Sequence, residues 1–182
     1  MDYRSNRLIL SLPNIDLAAK RKDFYCKNMN FFKPFLPIQS NLIEEIEFHI
    51  EKLTKEIINF ESENAIKFYV FLSKSDSNII GAIEFSNIVK GPFRSCNIGY
   101  LLDENFQGNG FMEESIRRAI DFIFLEKKLH RIEAAIMPNN HKSIKVIEKL
   151  GFQKIGMAPN YLNINGVWAD HLLYQLISPE LF

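Results

Sequence analysis

The stretch that most constrains the fold is residues 96–118, CNIGYLLDENFQGNGFMEESIRR, where an apolar run, a turn with two glycines and an amphipathic segment follow without a spacer. Ile98, Gly99, Tyr100, Leu101 and Leu102 read as a strand closed by Asp103-Glu104-Asn105. Gln107-Gly108-Asn109-Gly110 is the turn. After it Met112, Ile116, Ala119, Ile120, Ile123 and Phe124 recur at helical spacing, so one face of a helix is apolar. A glycine turn that opens a helix leaves the first-turn N–H groups with no partner inside the helix. Those donors, with the positive end of the dipole, make an anion site suited to phosphate. Gly108 and Gly110 also let the backbone approach a ligand closely. Glycine turns can serve merely to start helices, and the stretch alone leaves both readings open. Two other phosphate signatures fail on spacing, because neither a G-x-G-x-x-G fingerprint nor a lysine-bearing Walker turn occurs.

The flanking sequence predicts the rest of the architecture. Residues 7–12 read as a strand ended by Pro13, and Asp16 is placed to cap a helix through Ala18, Ala19, Phe24 and Tyr25. Residues 31–37, FFKPFLP, are aromatic and broken by proline, hence a shaped loop. Asn41 opens a longer helix with Leu42, Ile46, Ile50, Leu53, Ile57 and Ile58 on one face. Residues 66–72 and 79–85 form a hairpin around Ser75-Asp76-Ser77-Asn78. Residues 131–137 alternate as a strand, and Pro138-Asn139-Asn140 turns into a helix carrying Ile144, Ile147 and Leu150. Residues 152–155 and 168–176 supply two further strands, separated by Asn163-Ile164-Asn165-Gly166. This order predicts an α/β domain with a mixed, mostly antiparallel sheet of about seven strands and about four helices. Residues 1–182 suit one domain, since no linker or repeat interrupts them.

Composition excludes several classes. Lys plus Arg equals Asp plus Glu at 22 each, so the basic excess of a phosphate-coating nucleic-acid binder is missing. No apolar run approaches membrane-spanning length, and the start MDYRSNRLIL carries charges where a signal peptide needs an apolar stretch. Cys26 and Cys96 have no CxxC companion and read as reduced thiols of a cytoplasmic protein. His49, His130, His141 and His171 lack ligand spacing, so no metal is expected.

Gln107-x-x-Gly110-x-Met112 resembles the Q/R-x-x-G-x-G/A signature of the GNAT superfamily of acetyl-coenzyme A-dependent N-acetyltransferases. Met112 stands where the general signature has Gly or Ala, a departure similar to the RimJ/RimL branch, the acetyltransferases of ribosomal-protein N-termini and their relatives. Asn140-His141-Lys142-Ser143 followed by Glu148-Lys149-Leu150-Gly151-Phe152 resembles that branch's N-x-x-S…E-K-x-G-F. The opening Arg7-Leu8-Ile9-Leu10 and the late Asp170-His171 also match residues of such relatives. The resemblance implies the GNAT fold, in which the central strand and the next splay apart to admit the pantetheine arm of acetyl-CoA. It implies that Gln107, Gly108, Asn109, Gly110, Phe111 and Met112 surround the pyrophosphate, with backbone amides as donors. The peptide-like arm would pair with the strand at Tyr100, Leu101 and Leu102. It also implies that Asn140 holds the pantetheine and Ser143 protonates the leaving thiolate. From the residues alone, Asn140 is a good helix cap and Ser143 an ordinary first-turn residue.

The general base is less plain. Glu84 could reach the acceptor through water, although a strand carboxylate usually just faces solvent. Phe35 in the aromatic loop, Tyr161 and Asp170 are candidates to line the acceptor site, where aromatic and acidic residues would favour a cationic acceptor. Glu113 and Glu114 put negative charge beside the phosphate turn. An α-amine with pKa ~7.8 is easier to deprotonate at pH 7 than a lysine amine near ~10.4 by roughly 3–4 kcal/mol. A site without an evident base therefore suits a protein or peptide N-terminus, attacked directly in a ternary complex. The alternatives are a polyamine or antibiotic acceptor, or an acetyl-CoA-binding sensor that does little chemistry. Edge strands near the C-terminus could pair two subunits, which leaves a homodimer open.

Overall fold

Side-chain alternation along the strands decides the layering. In β2 (Leu8–Ser11), Leu8 and Leu10 enter one core cluster while Ile9 enters the other. In β3 (Ile66–Leu72), Phe68 and Val70 separate from Tyr69 and Phe71 in the same way. Such a strand is buried on both faces, which is why its sequence is almost continuously apolar. The computed structural model describes residues 2–37, 42–75 and 77–179. Asn41 and Asp76 lie outside the described residues.

The remaining elements are β1 (Asp2–Arg4), α1 (Ala18–Phe32), α2 (Ile46–Glu61), β4 (Gly81–Val89), β5 (Ser95–Leu102), α3 (Phe111–Asp121), β6 (Arg131–Ile136), α4 (His141–Lys149), β7 (Gln153–Ile164) and β8 (Val167–Ile177). They form one eight-stranded sheet in the order β1-β2-β3-β4-β5-β6-β8-β7. Every neighbouring pair is antiparallel except β5 and β6. α3 and α4 cover one face through Met112, Ile116, Ile120 and Ile147. α1 and α2 cover the other through Phe24, Tyr25, Phe32 and Leu53. Burying Ile116, which is fully inaccessible, contributes on the order of 1.5–3 kcal/mol by itself.

Several boundaries depart from the sequence reading for identifiable reasons. The eighth strand, β1, is three residues long and pairs with β2 in an N-terminal hairpin, too short to show a period. Asp16 caps nothing: it sits inside a 3-10 turn, Ile15–Leu17, that leads straight into α1. Phe31 and Phe32 belong to the end of α1, and Lys33–Phe35 forms a 3-10 turn. β7 runs for twelve residues. Gly156 and Pro159 interrupt its pattern, but β7 is an edge strand with two register shifts, where proline and irregularity are tolerated.

Two features of this scaffold make a site. β5 and β6 pair only at Ser95↔Arg131, Cys96↔Ile132 and Asn97↔Glu133, and beyond that they part. Their outer edges stay paired, β5 to β4 as far as Leu102 and β6 to β8 as far as Ile136. The second feature is the close approach of β4 to β5 at Gly81, where a Cβ would lie 2.9 Å from the Leu101 carbonyl oxygen and 3.3 Å from Met112 Cε. Only glycine fits there. The long Met112 side chain fills the space beneath it, 5% exposed in the core, which accounts for methionine where the general signature has a small residue.

Candidate active site

The phosphate turn is built as a stretched loop on a helix start. Gly108 and Gly110 have φ of +77° and +74°, left-handed values that cost other residues about 1–2 kcal/mol. Gly110 is the N-cap of α3, and no side chain caps that helix. The first-turn amides of Phe111, Met112 and Glu113 therefore retain their donor capacity. Asn109 braces the turn from within, its Nδ2 donating to the carbonyls of Gln107 at 3.0 Å and Phe106 at 3.3 Å. Arg7 braces it from β2's start: Nη1 donates to the Asn109 carbonyl at 3.1 Å, and its guanidinium stacks 4.6 Å from the Phe111 ring centroid.

The two acidic residues after the turn are both paired with cations. Glu114 accepts from Arg7 Nε at 2.7 Å, the Arg7 amide at 2.9 Å and Ser5 Oγ at 2.7 Å. Burial works to raise its carboxyl pKa, but the bonds from Ser5 and Arg7 outweigh that and hold it below the usual carboxylate range. Glu113 pairs with Arg117 at 3.3 Å and lies 3.9 Å from Lys149. Each carboxylate thus carries a cationic partner beside the turn.

The gap between β5 and β6 opens beside this turn, with α4 on its far side. Asn140 caps α4, its side chain accepting from the Ser143 amide at 3.2 Å. Tyr100 reaches from β5 to the same place. Its hydroxyl lies 2.5 Å from Ser143 Oγ and donates to the Ser143 carbonyl at 3.1 Å. Burial pushes the Tyr100 phenol far above its usual pKa, with the Ser143 bond opposing, so it stays protonated and acts as a donor. Lys142 Nζ donates to Gln107 Oε1 at 2.6 Å, linking α4 to the glycine turn. Cys96 lies 1% exposed, and burial, then Glu133, pushes its thiol up to about 12. It is inert as a nucleophile.

On the other face of β5 a cavity of about 790 Å³ lies between the sheet, α1 and α2. Gly99 and Leu101 of β5, Ala82 and Glu84 of β4, and Lys67 of β3 line its floor. The strand register sets Glu84 beside Gly99. Its polar wall is one connected network. Arg21 Nε donates to Tyr69 Oη at 2.8 Å, Tyr69 Oη donates to Glu56 at 2.7 Å, and Lys67 sits 3.1 Å from Glu56 and 3.3 Å from Glu84. Burial disfavours the Lys67 ammonium, but Tyr25, Tyr69, Glu56 and Glu84 together hold its pKa well above the ordinary value. His49 backs the network, with Nδ1 2.6 Å from Arg21 and Nε2 2.7 Å from the Ile43 carbonyl. Since burial lowers its pKa, it is neutral, donating to Ile43 and accepting from Arg21.

The three residues assigned from sequence to the acceptor site are outside this cavity's lining, on two segments that meet where Asn165 Nδ2 donates to the Lys33 carbonyl at 2.5 Å. Phe35 does not line the cavity; Tyr25, Leu36, Ile43 and Phe48 make that wall. Tyr161 and Asp170 sit on the β7–β8 hairpin, Tyr161 against the His171 ring and Asp170 accepting from the Asn160 amide at 2.8 Å. The cavity's charged lining is mixed. Arg21, Lys52, Lys55 and Lys67 line it against Glu56 and Glu84. The network of Arg21, His49, Glu56, Lys67 and Tyr69 went unread in the sequence, although one lysine inside an otherwise apolar strand, IKFYVFL, was a signal for it. Among the described residues no cluster of His, Cys, Asp or Glu could hold a metal ion, and no helix is long and apolar enough to cross a membrane.

An uncapped glycine turn beside a parted strand pair offers donors for an anion at the helix start and a gap for an extended arm. Residues 7–153 match the acetyltransferase (GNAT) domain, and the chain belongs to that family of N-acetyltransferases. Within it the chain falls in the RimJ/RimL-like group. It is 36% identical to the probable N-acetyltransferase YjcK of Bacillus subtilis, over 90% of each chain. It is 32% identical to the ribosomal protein uS5-alanine N-acetyltransferase of Escherichia coli, over 98% of this chain and 96% of that one. The structure of the ribosomal-protein-S5-alanine acetyltransferase of Vibrio fischeri superposes with a TM-score of 0.93 at 32% identity, covering 99% of this chain and 98% of that one. Mycobacterium smegmatis RimJ, solved in complex with CoA-disulfide, shares the fold at a TM-score of 0.89 and 24% identity, over 96% and 83% of the two chains.

Proposed function

We propose that this enzyme transfers the acetyl group of acetyl-CoA to the α-amine of a protein or peptide N-terminus. The observation that carries the reading is the uncapped turn at Gly110 opening onto the gap where Ser143 Oγ meets Tyr100. The amides of Phe111, Met112 and Glu113 would hold the pyrophosphate, and the free edge of Tyr100, Leu101 and Leu102 the pantetheine arm. A β5 amide near Gly99 is the donor for negative charge developing on the thioester oxygen. The amine nitrogen bonds to the acetyl carbon as the carbon–sulfur bond breaks. Ser143 gives its proton to the departing sulfur and recovers one from solvent, with Tyr100 holding its hydroxyl in line. Glu84 takes the proton from the amine through water, because it faces the cavity next to Gly99 and keeps 44% of its side chain exposed.

The names of the relatives that act on alanine N-termini support an α-amine. The same reading places the enzyme in the cytoplasm as one catalytic domain, with the exposed edge of β7 as a face where a second copy could pair. Release of free thiol from acetyl-CoA tests it against four acceptors: an alanine-starting peptide, a peptide with blocked N-terminus and one lysine, spermidine and an aminoglycoside. Turnover dominated by the alanine-starting peptide is expected. Equal turnover of the lysine peptide would show that α-amines are not selected. Binding of the coenzyme without any turnover would make the domain a sensor.

A further inference from the structure

The charges around the acceptor cavity are unevenly paired. Glu56 has its acceptor sites occupied by Tyr69 at 2.7 Å, Lys67 at 3.1 Å and Arg21 at 3.4 Å. Glu84 shares Lys67 at 3.3 Å but is 44% exposed, so of the two lining carboxylates it alone has capacity left. Arg21 and Lys67 are engaged with those carboxylates. Lys55 touches Glu51 at 2.6 Å, in a pair so exposed (62% and 61%) that opening it costs little. Lys52, three residues earlier on the same side of α2, lies over the Phe48 ring at 5.2 Å and has no carboxylate within ion-pair distance among the described residues. One open carboxylate on the floor and two cations at the rim suit a ligand with a single amine and an anion behind it. A second ammonium, as in a polyamine or aminoglycoside, would meet Lys52 and Lys55.

Resting on the amine-acetylating site described above, we propose that the acceptor is a peptide N-terminus carrying an acidic side chain within its first three residues. The amine is directed at Glu84 and Gly99, and the carboxylate at Lys52 and Lys55. Lys52 and Lys55 stand on α2 within four residues of Glu56, and Glu56 shares Lys67 with Glu84 at 3.1 Å and 3.3 Å. The cations and the open carboxylate therefore border one cavity, and a few residues of extended peptide at about 3.3 Å each span it.

The test uses three alanine-starting hexapeptides that differ only in Asp, Gln or Lys at the second and third positions, with spermidine beside them. Thiol release gives kcat/KM, and calorimetry gives the affinity of each for the protein loaded with coenzyme A. The Asp peptide is expected to exceed the Lys peptide by about tenfold at low ionic strength, with the gap narrowing as salt is added. Lys52→Glu combined with Lys55→Glu should invert the order, and the corresponding Gln pair should flatten it; coenzyme binding by each variant reports that it is folded. A Lys peptide or spermidine that matches the Asp peptide, or an order unchanged in folded variants, overturns the proposal. If no peptide is acetylated while coenzyme binds, the N-terminal reading fails instead. The calorimetric ranking still decides the charge preference: tighter acidic peptide supports it, and equal affinities refute it.

Discussion

Replacing Gly110 by alanine isolates the contribution of the turn's backbone to coenzyme binding. The residue has φ +74° and caps α3, and an added Cβ would lie 3.6 Å from Arg7 Nη2, an ordinary contact. The cost is therefore conformational, about 1–2 kcal/mol for a non-glycine residue in the left-handed region. It can appear in two places. If the turn relaxes in the free protein, binding must restore it, and Kd for coenzyme A rises by about 5- to 30-fold. If Arg7 and Asn109 hold the turn rigid, Kd stays put and the strain appears as a loss of stability, at roughly 2–4 °C of Tm per kcal/mol for a chain of this size. Calorimetric titration of coenzyme A and thermal melts of the free protein read both. A Kd within twofold of the parent together with an unchanged Tm would refute the argument, because the strain would then have no place to go.

Other perturbations separate the parts of the site. Gly99→Val puts a side chain into the acceptor cavity, where nothing lies within 4 Å of the added Cβ, so the peptide KM should rise at least tenfold (order of magnitude) while coenzyme affinity holds; weakened coenzyme binding would place the acceptor elsewhere. Tyr100→Phe removes both hydroxyl contacts to Ser143; the one to Oγ, worth about 1 kcal/mol, should lower kcat roughly fivefold at unchanged coenzyme Kd. Ser143→Ala should cost on the order of a hundredfold in kcat, and the double variant should lose less than the product of the two, since additivity would deny that the hydroxyls act together. Glu114→Gln tests the brace behind the turn. The Glu114 carboxyl is held below its ordinary 4.5 in the folded protein, so its stabilisation is complete above about pH 4.5 and fades as pH falls through the folded value. The Tm difference between parent and variant should be constant from neutral pH down to about 5 and close as the pH falls below 4.5; a gap that persists in acid contradicts that linkage.

Much of the cofactor side was legible because it depends on local sequence. A glycine that needs a left-handed φ, a helix beginning directly after it and an Asn140 cap three residues before Ser143 are all short-range facts. The acceptor side was less legible because it is assembled from far-apart segments. Arg21, Glu56, Lys67 and Glu84 come from two helices and two strands, and no spacing links them. Phe35, Tyr161 and Asp170 suit such a site by type, and the chain path sets them outside this cavity's lining. Tyr100 was readable as a strand residue whose backbone would meet the pantetheine, but its hydroxyl's meeting with Ser143 required knowing that α4 lies across the gap. β1 and the full length of β7 were missed for the opposite reason, since one is too short to show a period and the other is broken by glycine and proline.

The parting of β5 from β6 has a mechanical consequence. Strands one to five and strands six to eight are each knitted continuously, and between them the backbone ladder is only three rungs deep. A crack propagating through the empty molecule would run along that seam. A peptide-like arm bound there would span it, so acyl donor that binds the gap should also raise the protein's resistance to unfolding.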